Sequence, residues 1–255
     1  MSITYKETEY PIAFDHTEHD LISYSEVQST EKKKPSTSVY GNFEVVPNFK
    51  QGFETILVVG AMGSGKSYWC GQYMDAYKKL YPYNKVYIFS QKDSDPSFDR
   101  LKLRPRRVII DDEFVSEPFE LAHLPHYHHS LIIFDDFMTF SNKKYIEKLI
   151  NVIMQFITLS RQYNCFTLIT SHMFYGFNNR QLYASIQTEI NKMVFFKGVN
   201  VYQLTYVIKN HFGHPVPFIK KLINFDPTSR YICISKFPQY VVSQHRCAII
   251  NEQFK

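Results

Sequence analysis

The stretch Thr55-Ile56-Leu57-Val58-Val59-Gly60-Ala61-Met62-Gly63-Ser64-Gly65-Lys66-Ser67 decides the fold. An apolar, β-branched run stops at a glycine, and a helical pattern begins after Lys66-Ser67. There Trp69, Tyr73, Tyr77 and Leu80 fall on one face at three- and four-residue steps. Gly60 to Ser67 satisfies G-x-x-x-x-G-K-[ST] without a gap, between a strand and a helix as that motif requires. Gly60, Gly63 and Gly65 let the backbone turn so that its amides converge on one centre, an anion nest. The following helix aims its positive N-terminus at the same point. Lys66 can reach the β- and γ-phosphates and the Ser67 hydroxyl can ligate Mg²⁺. The expected nucleotide-binding set is therefore Gly60, Ala61, Met62, Gly63, Ser64, Gly65, Lys66 and Ser67, with ATP and Mg²⁺ as cofactors. Three of only nine glycines lie inside this octet, so glycine is used where backbone geometry needs it.

Outward from the loop, short apolar runs alternate with helical patterns. Thr55–Gly60, Lys85–Ser90, Arg107–Asp111, Ser130–Asp135, Cys165–Ser171 and Lys192–Lys197 read as strands, several of them continuous as in a buried parallel sheet. Ile146, Leu149, Ile153, Phe156 and Ile157 form the apolar face of a helix spanning Lys143–Arg161. Strands alternating with helices predict an α/β fold with a mainly parallel central sheet flanked by helices.

A nucleotide-hydrolysing site of this kind also needs a carboxylate at the end of a buried strand, and two segments offer one. Leu131-Ile132-Ile133-Phe134-Asp135-Asp136 has the longer apolar run and a strong amphipathic helix after it. Asp135 is the expected Mg²⁺ ligand with Ser67, and Asp136 the expected base for water. Val108-Ile109-Ile110-Asp111-Asp112-Glu113 is the weaker candidate, read as a solvated strand end facing its own Arg104, Arg106 and Arg107. Between them, His123-Leu124-Pro125-His126-Tyr127-His128-His129 has no nearby cysteine and no helical i,i+4 spacing, and reads as a polar connecting loop rather than a zinc site.

The chain has 255 residues, enough for one large domain, and is 44% apolar and 21% charged, which excludes a disordered or collagen-like chain. Its net charge of +5 permits nucleic acid as a partner without demanding it. Four cysteines without CxxC spacing argue against a disulfide framework and for a reducing compartment. No run approaches the roughly 20 apolar residues of a membrane helix, and the start of the chain lacks a signal peptide's apolar core. Residues 1–40 carry no strong periodicity and end in the charged stretch Glu31–Ser38. They are expected to form a flexible tail, with residues 41–255 as the nucleotide-binding domain.

The order of parts, a phosphate loop, a strand ending in Asp135-Asp136, a helix ending in Ser160-Arg161 and a strand ending in Thr170-Ser171-His172, resembles the genome-packaging ATPases of large DNA viruses, the poxvirus-type members of the FtsK–HerA superfamily, also found in virophages. Phe225-Asp226-Pro227-Thr228-Ser229-Arg230-Tyr231-Ile232-Cys233-Ile234 is similar to that family's late, tyrosine-bearing strand. The resemblance covers roughly residues 40–250. It implies a RecA-like sheet with the Cys165–Ser171 strand between the phosphate-loop strand and the acidic strand. It also implies a homo-oligomeric ring, usually a hexamer, that drives double-stranded DNA into a preformed capsid, with capsid or portal components as partners and the cytoplasm of an infected cell as its place. His172, or Ser171, would sense the γ-phosphate, where the family commonly has Gln. Arg161 would act in trans on a neighbour's γ-phosphate, its alternative being an ordinary charge at a helix C-terminus. Two other functions share the phosphate loop: a small nucleotide kinase and a non-hydrolysing assembly switch. Lys143-Lys144 and Lys220-Lys221 are the candidate DNA contacts, each equally readable as plain surface.

Overall fold

A computed structural model describes residues 1–5, 7–8, 10–26, 37–99, 105–137, 142–174 and 180–250. In chain order the elements are β1 (Ser2–Thr4), β2 (Tyr10–Asp15), β3 (Asp20–Ser25), β4 (Ser38–Tyr40), β5 (Phe43–Val45), β6 (Glu54–Val59), α1 (Lys66–Leu80), β7 (Val86–Ser90), α2 (Pro96–Asp99), β8 (Arg106–Ile109), α3 (Asp112–Ser116), a 3₁₀ turn (Leu121–Tyr127), β9 (Leu131–Phe134), α4 (Lys143–Tyr163), β10 (Phe166–Ser171), α5 (Arg180–Glu189), β11 (Lys192–Phe196), α6 (Val201–His211), α7 (Val216–Ile223), β12 (Tyr231–Ser235), β13 (Tyr240–Ser243) and β14 (Arg246–Ile249).

Ten strands make one sheet in the order β4-β14-β13-β12-β11-β6-β10-β9-β7-β8. The six from β11 to β8 are parallel, and β12, β13, β14 and β4 continue the sheet antiparallel. The phosphate-loop strand β6 is central, and β10 lies between it and the acidic strand β9, the order the sequence resemblance implies. All six residues of β6 are buried, because it is covered on both faces. Leu57 and Val59 pack on one side with Leu149, Ile153 and Phe156 of α4 and with Leu204 and Val207 of α6. Ile56 and Val58 pack on the other with Trp69, Tyr73 and Tyr77 of α1. Leu80 departs from that predicted face and is 40% exposed, at the last turn of α1.

The expectation of a flexible tail over residues 1–40 is corrected for the described part. β1, β3, β2 and β5 form a four-stranded antiparallel sheet, and β4 pairs with β14 at the edge of the large sheet. Ile3, Ile12, Ala13, Ile22 and Tyr24 share one core with α1 and β6. Apolar gain holds this segment: its strands are three to six residues long and marginal alone, but their buried side chains meet a large aromatic layer. Asp15, fully buried, organises the β2–β3 turn by accepting from Thr17 N (2.9 Å), Asn42 N (3.2 Å) and Tyr5 Oη (3.1 Å). The Lys32-Lys33-Lys34 run lies outside the described residues.

At the opposite end of the strands from the phosphate loop, Glu54 opens β6 and Lys192 opens β11, and their side chains meet at 2.5 Å with both buried. Tyr73 Oη donates to the second Glu54 oxygen at 2.7 Å. Burial alone would lower the Lys192 ammonium, but Glu54 holds it above its ordinary value. The pair joins the first residues of two central strands, and Tyr73 ties α1 to it.

Candidate active site

The phosphate loop is shaped by backbone constraint. Gly60 N donates to Ser171 O at 3.1 Å, tying the loop's start to the end of β10. A Cβ at Gly60 would stand 2.4 Å from Ser64 Oγ and 3.0 Å from Phe196 Cβ, so only glycine fits there without displacement. Gly65 caps α1 with φ 107°, in the left-handed region, and no side chain satisfies the leading amides of the helix. Ser64 Oγ is buried with no hydrogen-bond partner among the described residues. Met62 is 85% exposed, so this position contributes backbone rather than side chain to the loop.

Lys66 is 5% exposed and folds back across the loop. Its Nζ donates to Gly60 O (2.9 Å) and Ala61 O (3.3 Å), and stands 3.3 Å from His172 Nδ1 and 3.7 Å from Asp136 Oδ1. Ser67 follows it, half-buried in the first turn of α1. The loop therefore presents a buried cation, turned amides and a hydroxyl together.

The two aspartates have different surroundings. Asp135 is 4% exposed, and its backbone N–H continues the sheet by donating to Phe89 O at 2.9 Å. Its carboxylate accepts from Thr170 Oγ1 (3.2 Å) and Ser90 Oγ (3.5 Å). Burial first, and then the charge of Asp136, pushes its pKa up to about 6. Asp136 has φ 48°, a left-handed conformation that Asp tolerates better than most residues, and its N–H donates to Thr170 Oγ1 at 2.7 Å. That turn brings its Oδ1 to 3.3 Å from His172 Nε2. An imidazole with its hydrogen on Nε2 satisfies both His172 contacts, donating to Asp136 and accepting from Lys66.

Lys66, Asp135, Asp136 and His172 thus form one constellation at the ends of β6, β9 and β10. Of the two sensor candidates, His172 faces it, whereas Ser171 is buried and its hydroxyl donates to Met173 O at 2.5 Å. Sequence reasoning missed two residues. Thr170 bridges both aspartates, but a threonine inside an apolar strand looks like a plain β-former. Arg230 Nη2 donates to Ser64 O at 3.0 Å across the sheet, and no local spacing announces it.

Arg161 is not brought to this constellation. It is exposed in the last turn of α4, near the start of β10, while the 21-residue helix begins after the acidic strand. At 1.5 Å per residue its ends lie about 30 Å apart. The Asp111-Asp112-Glu113 group is exposed and stands apart, as expected; Arg104 lies outside the described residues, and Arg106 and Arg107 turn to Tyr87 and Asp99 instead. Asp111 caps α3 by accepting from Phe114 N at 3.0 Å, Asp112 accepts from Tyr145 Oη at 2.5 Å, and Arg107 pairs with Asp99 at 2.6 Å. The histidine-rich connection is corrected in part: His123–Tyr127 belong to the 3₁₀ turn Leu121–Tyr127, capped by Glu120, whose N–H donates to His123 Nδ1 at 3.1 Å, while His128 and His129 follow it in a turn.

No protein-family model matches the chain. In sequence it is 29% identical over 220 residues to a protein of Sputnik virophage, the uncharacterized protein V3, with 86% of each chain covered. In structure it is similar to the genome packaging NTPase B204 of Sulfolobus turreted icosahedral virus 2, solved in complex with AMPPCP. That likeness has a TM-score of 0.51 at 15% identity and covers 76% of this chain and 97% of the other. It is also similar to the pCW3 conjugation coupling protein TcpA with ATPγS, with a TM-score of 0.51 at 12% identity over 94% of this chain and 70% of the other. The chain has the RecA-like fold of P-loop NTPases, a fold it shares with the NTPase B204.

Proposed function

We propose that the protein is an ATP-hydrolysing translocase of double-stranded DNA that packages a viral genome into a preformed capsid. The observation that carries this is the convergence of Lys66, Asp135, Asp136 and His172 on a glycine-built phosphate loop, within a fold shared with the packaging NTPase B204 over nearly all of that enzyme. The residues fit Mg²⁺ and ATP. Asp135 and Ser67 offer only oxygen donors, as a hard cation prefers. A side chain at Gly60 would collide with Ser64 Oγ and Phe196, and Gly63 and Gly65 take the left-handed backbone, so the turn that shapes the loop for a phosphate needs glycine at these positions.

Magnesium-bound ATP supplies the phosphoanhydride bond whose hydrolysis drives the work. Lys66 would exchange the Gly60 and Ala61 carbonyls for phosphate oxygens and neutralise the charge that grows on them. Asp135 and Ser67 would hold the cation. Asp136 Oδ1 is the atom that would take a proton from water, held in place by the Thr170 hydroxyl on its backbone and by His172 on its carboxylate. His172 would sense the γ-phosphate. This arrangement argues against a pure assembly switch, which needs no poised base.

The ring, the capsid or portal partners and a place in the cytoplasm of an infected cell belong to this proposal and rest on the resemblance. Among the described residues no helix is long and apolar enough to cross a membrane. The test is the steady-state ATPase rate with and without linear duplex DNA. A translocase is stimulated by the duplex. A rate unchanged by DNA but raised by a small nucleoside acceptor would assign a kinase instead.

A further inference from the structure

We propose that Arg230 is a positioning residue that braces the phosphate loop from outside and aims the Gly65 amide at the nucleotide's phosphates; this rests on the nucleotide-binding role proposed above. Its Nη2 donates to Ser64 O at 3.0 Å, and a Cβ added at Gly65 would lie 3.4 Å from the same nitrogen. The guanidinium therefore packs against the back of the Ser64–Gly65 peptide. Among the described residues only Phe237–Pro238 is cis, so this peptide is trans and its C=O and N–H point in opposite directions. A donor holding the carbonyl outward turns the Gly65 N–H inward, toward the centre on which the loop amides converge. The permanent charge of Arg also polarises the peptide and strengthens that amide as a donor.

The brace is itself held. Arg230 N donates to Gln244 Oε1 at 2.8 Å, and Arg230 O accepts from Lys197 N at 3.1 Å. Just before it, the Asp226 carboxylate accepts from Ser243 Oγ (2.6 Å), Thr228 Oγ1 (2.7 Å) and Ser229 N (3.1 Å), knotting the two ends of the β12–β13 hairpin. Burial would raise the Asp226 carboxyl, but these donors hold it well below the ordinary range, so the knot stays charged. The antiparallel half of the sheet thus acts on the active site through one side chain.

The test uses full-length Arg230→Ala, Arg230→Lys and Arg230→Gln proteins, titrated with MgADP and MgATPγS and assayed for turnover. The brace acts on an amide rather than on the γ-phosphate. Arg230→Ala should therefore weaken ADP and ATPγS by the same factor, about tenfold for one charge-assisted hydrogen bond. It should raise KM while kcat at saturation stays within about twofold. Arg230→Lys should fall between wild type and Ala, and millimolar guanidinium should restore affinity to Arg230→Ala but not to wild type. Equal affinities in wild type and all three variants would overturn the brace. A loss confined to ATPγS or to kcat would overturn it too, placing the guanidinium on the γ-phosphate. A wild-type protein that binds neither nucleotide would sink the proposed function itself, an outcome distinct from wild type and variants binding alike.

Discussion

Asp135 is held in a setting that favours the neutral acid, and this has consequences for stability as well as chemistry. Its folded pKa of about 6 lies above the ordinary 3.8, so the folded state binds the proton more tightly than the unfolded chain. The resulting stability is fully present below pH 3.8 and is lost as pH rises through about 6. A rise of that size corresponds to about 3 kcal/mol. Without Mg²⁺, Asp135→Asn should therefore melt higher than wild type at pH 7.5, with the gap closing toward pH 4.5, while losing Mg²⁺-dependent turnover. A lower melting temperature for the Asn variant at pH 7.5 would contradict the destabilising burial of this carboxylate. Asp136→Asn should still bind ATP but hydrolyse it about 10²-fold or more slowly, the usual size of a lost general base. Single-turnover rates separate the two steps, and wild-type turnover in that variant would remove Asp136 from the role. Lys66→Ala should abolish turnover with the fold intact by circular dichroism.

At the scale of elements, the parallel strands other than the edge strand β8 were legible because they are short apolar runs buried on both faces, and β6 followed by a glycine turn and a helix has few other interpretations. The N-terminal sheet was not. Tyr10–Asp15 and Asp20–Ser25 mix polar and apolar residues, and their apolar side joins a core built largely from distant residues, among them Trp69, Tyr73 and Tyr77 more than 40 residues away. Ile12, buried completely, provides the test: Ile12→Ala should cost about 2–5 kcal/mol in chemical denaturation. An effect within about 0.5 kcal/mol, typical of an exposed site, would restore the tail. In the candidate site, the loop and the aspartates were readable from spacing. Thr170 and Arg230 were not, since each acts through a tertiary contact that leaves no periodic mark. Arg161 stands at the far end of α4 from Lys143, so any catalytic effect must be exerted on another subunit. Mixing Arg161→Ala with Lys66→Ala subunits should then recover hydrolysis, because a mixed interface joins an intact loop to an intact arginine. Full activity of Arg161→Ala alone, or no recovery in demonstrably mixed assemblies, would leave only a charge favoured by the helix dipole.

For the whole molecule, the net charge of +5 gives a weak, general attraction to nucleic acid rather than a sequence-reading surface. Lys143, Lys144, Lys220 and Lys221 are all exposed, although Lys143 also pairs with Glu147 at 3.4 Å. Duplex affinity should fall steeply with salt, and each lysine that touches phosphate should lower the log–log slope by about one when replaced by alanine. An affinity unchanged between low and moderate salt would argue against a backbone-tracking motor. The proposed activity is movement along DNA coupled to hydrolysis, and strand displacement from a triplex reports it directly. A third strand bound at one end of a long linear duplex should be released by the wild-type protein with MgATP, and not by Lys66→Ala or with MgADP. Release that lags in proportion to the distance between entry and the triplex is the predicted result; a triplex that stays intact while ATP is hydrolysed would contradict it.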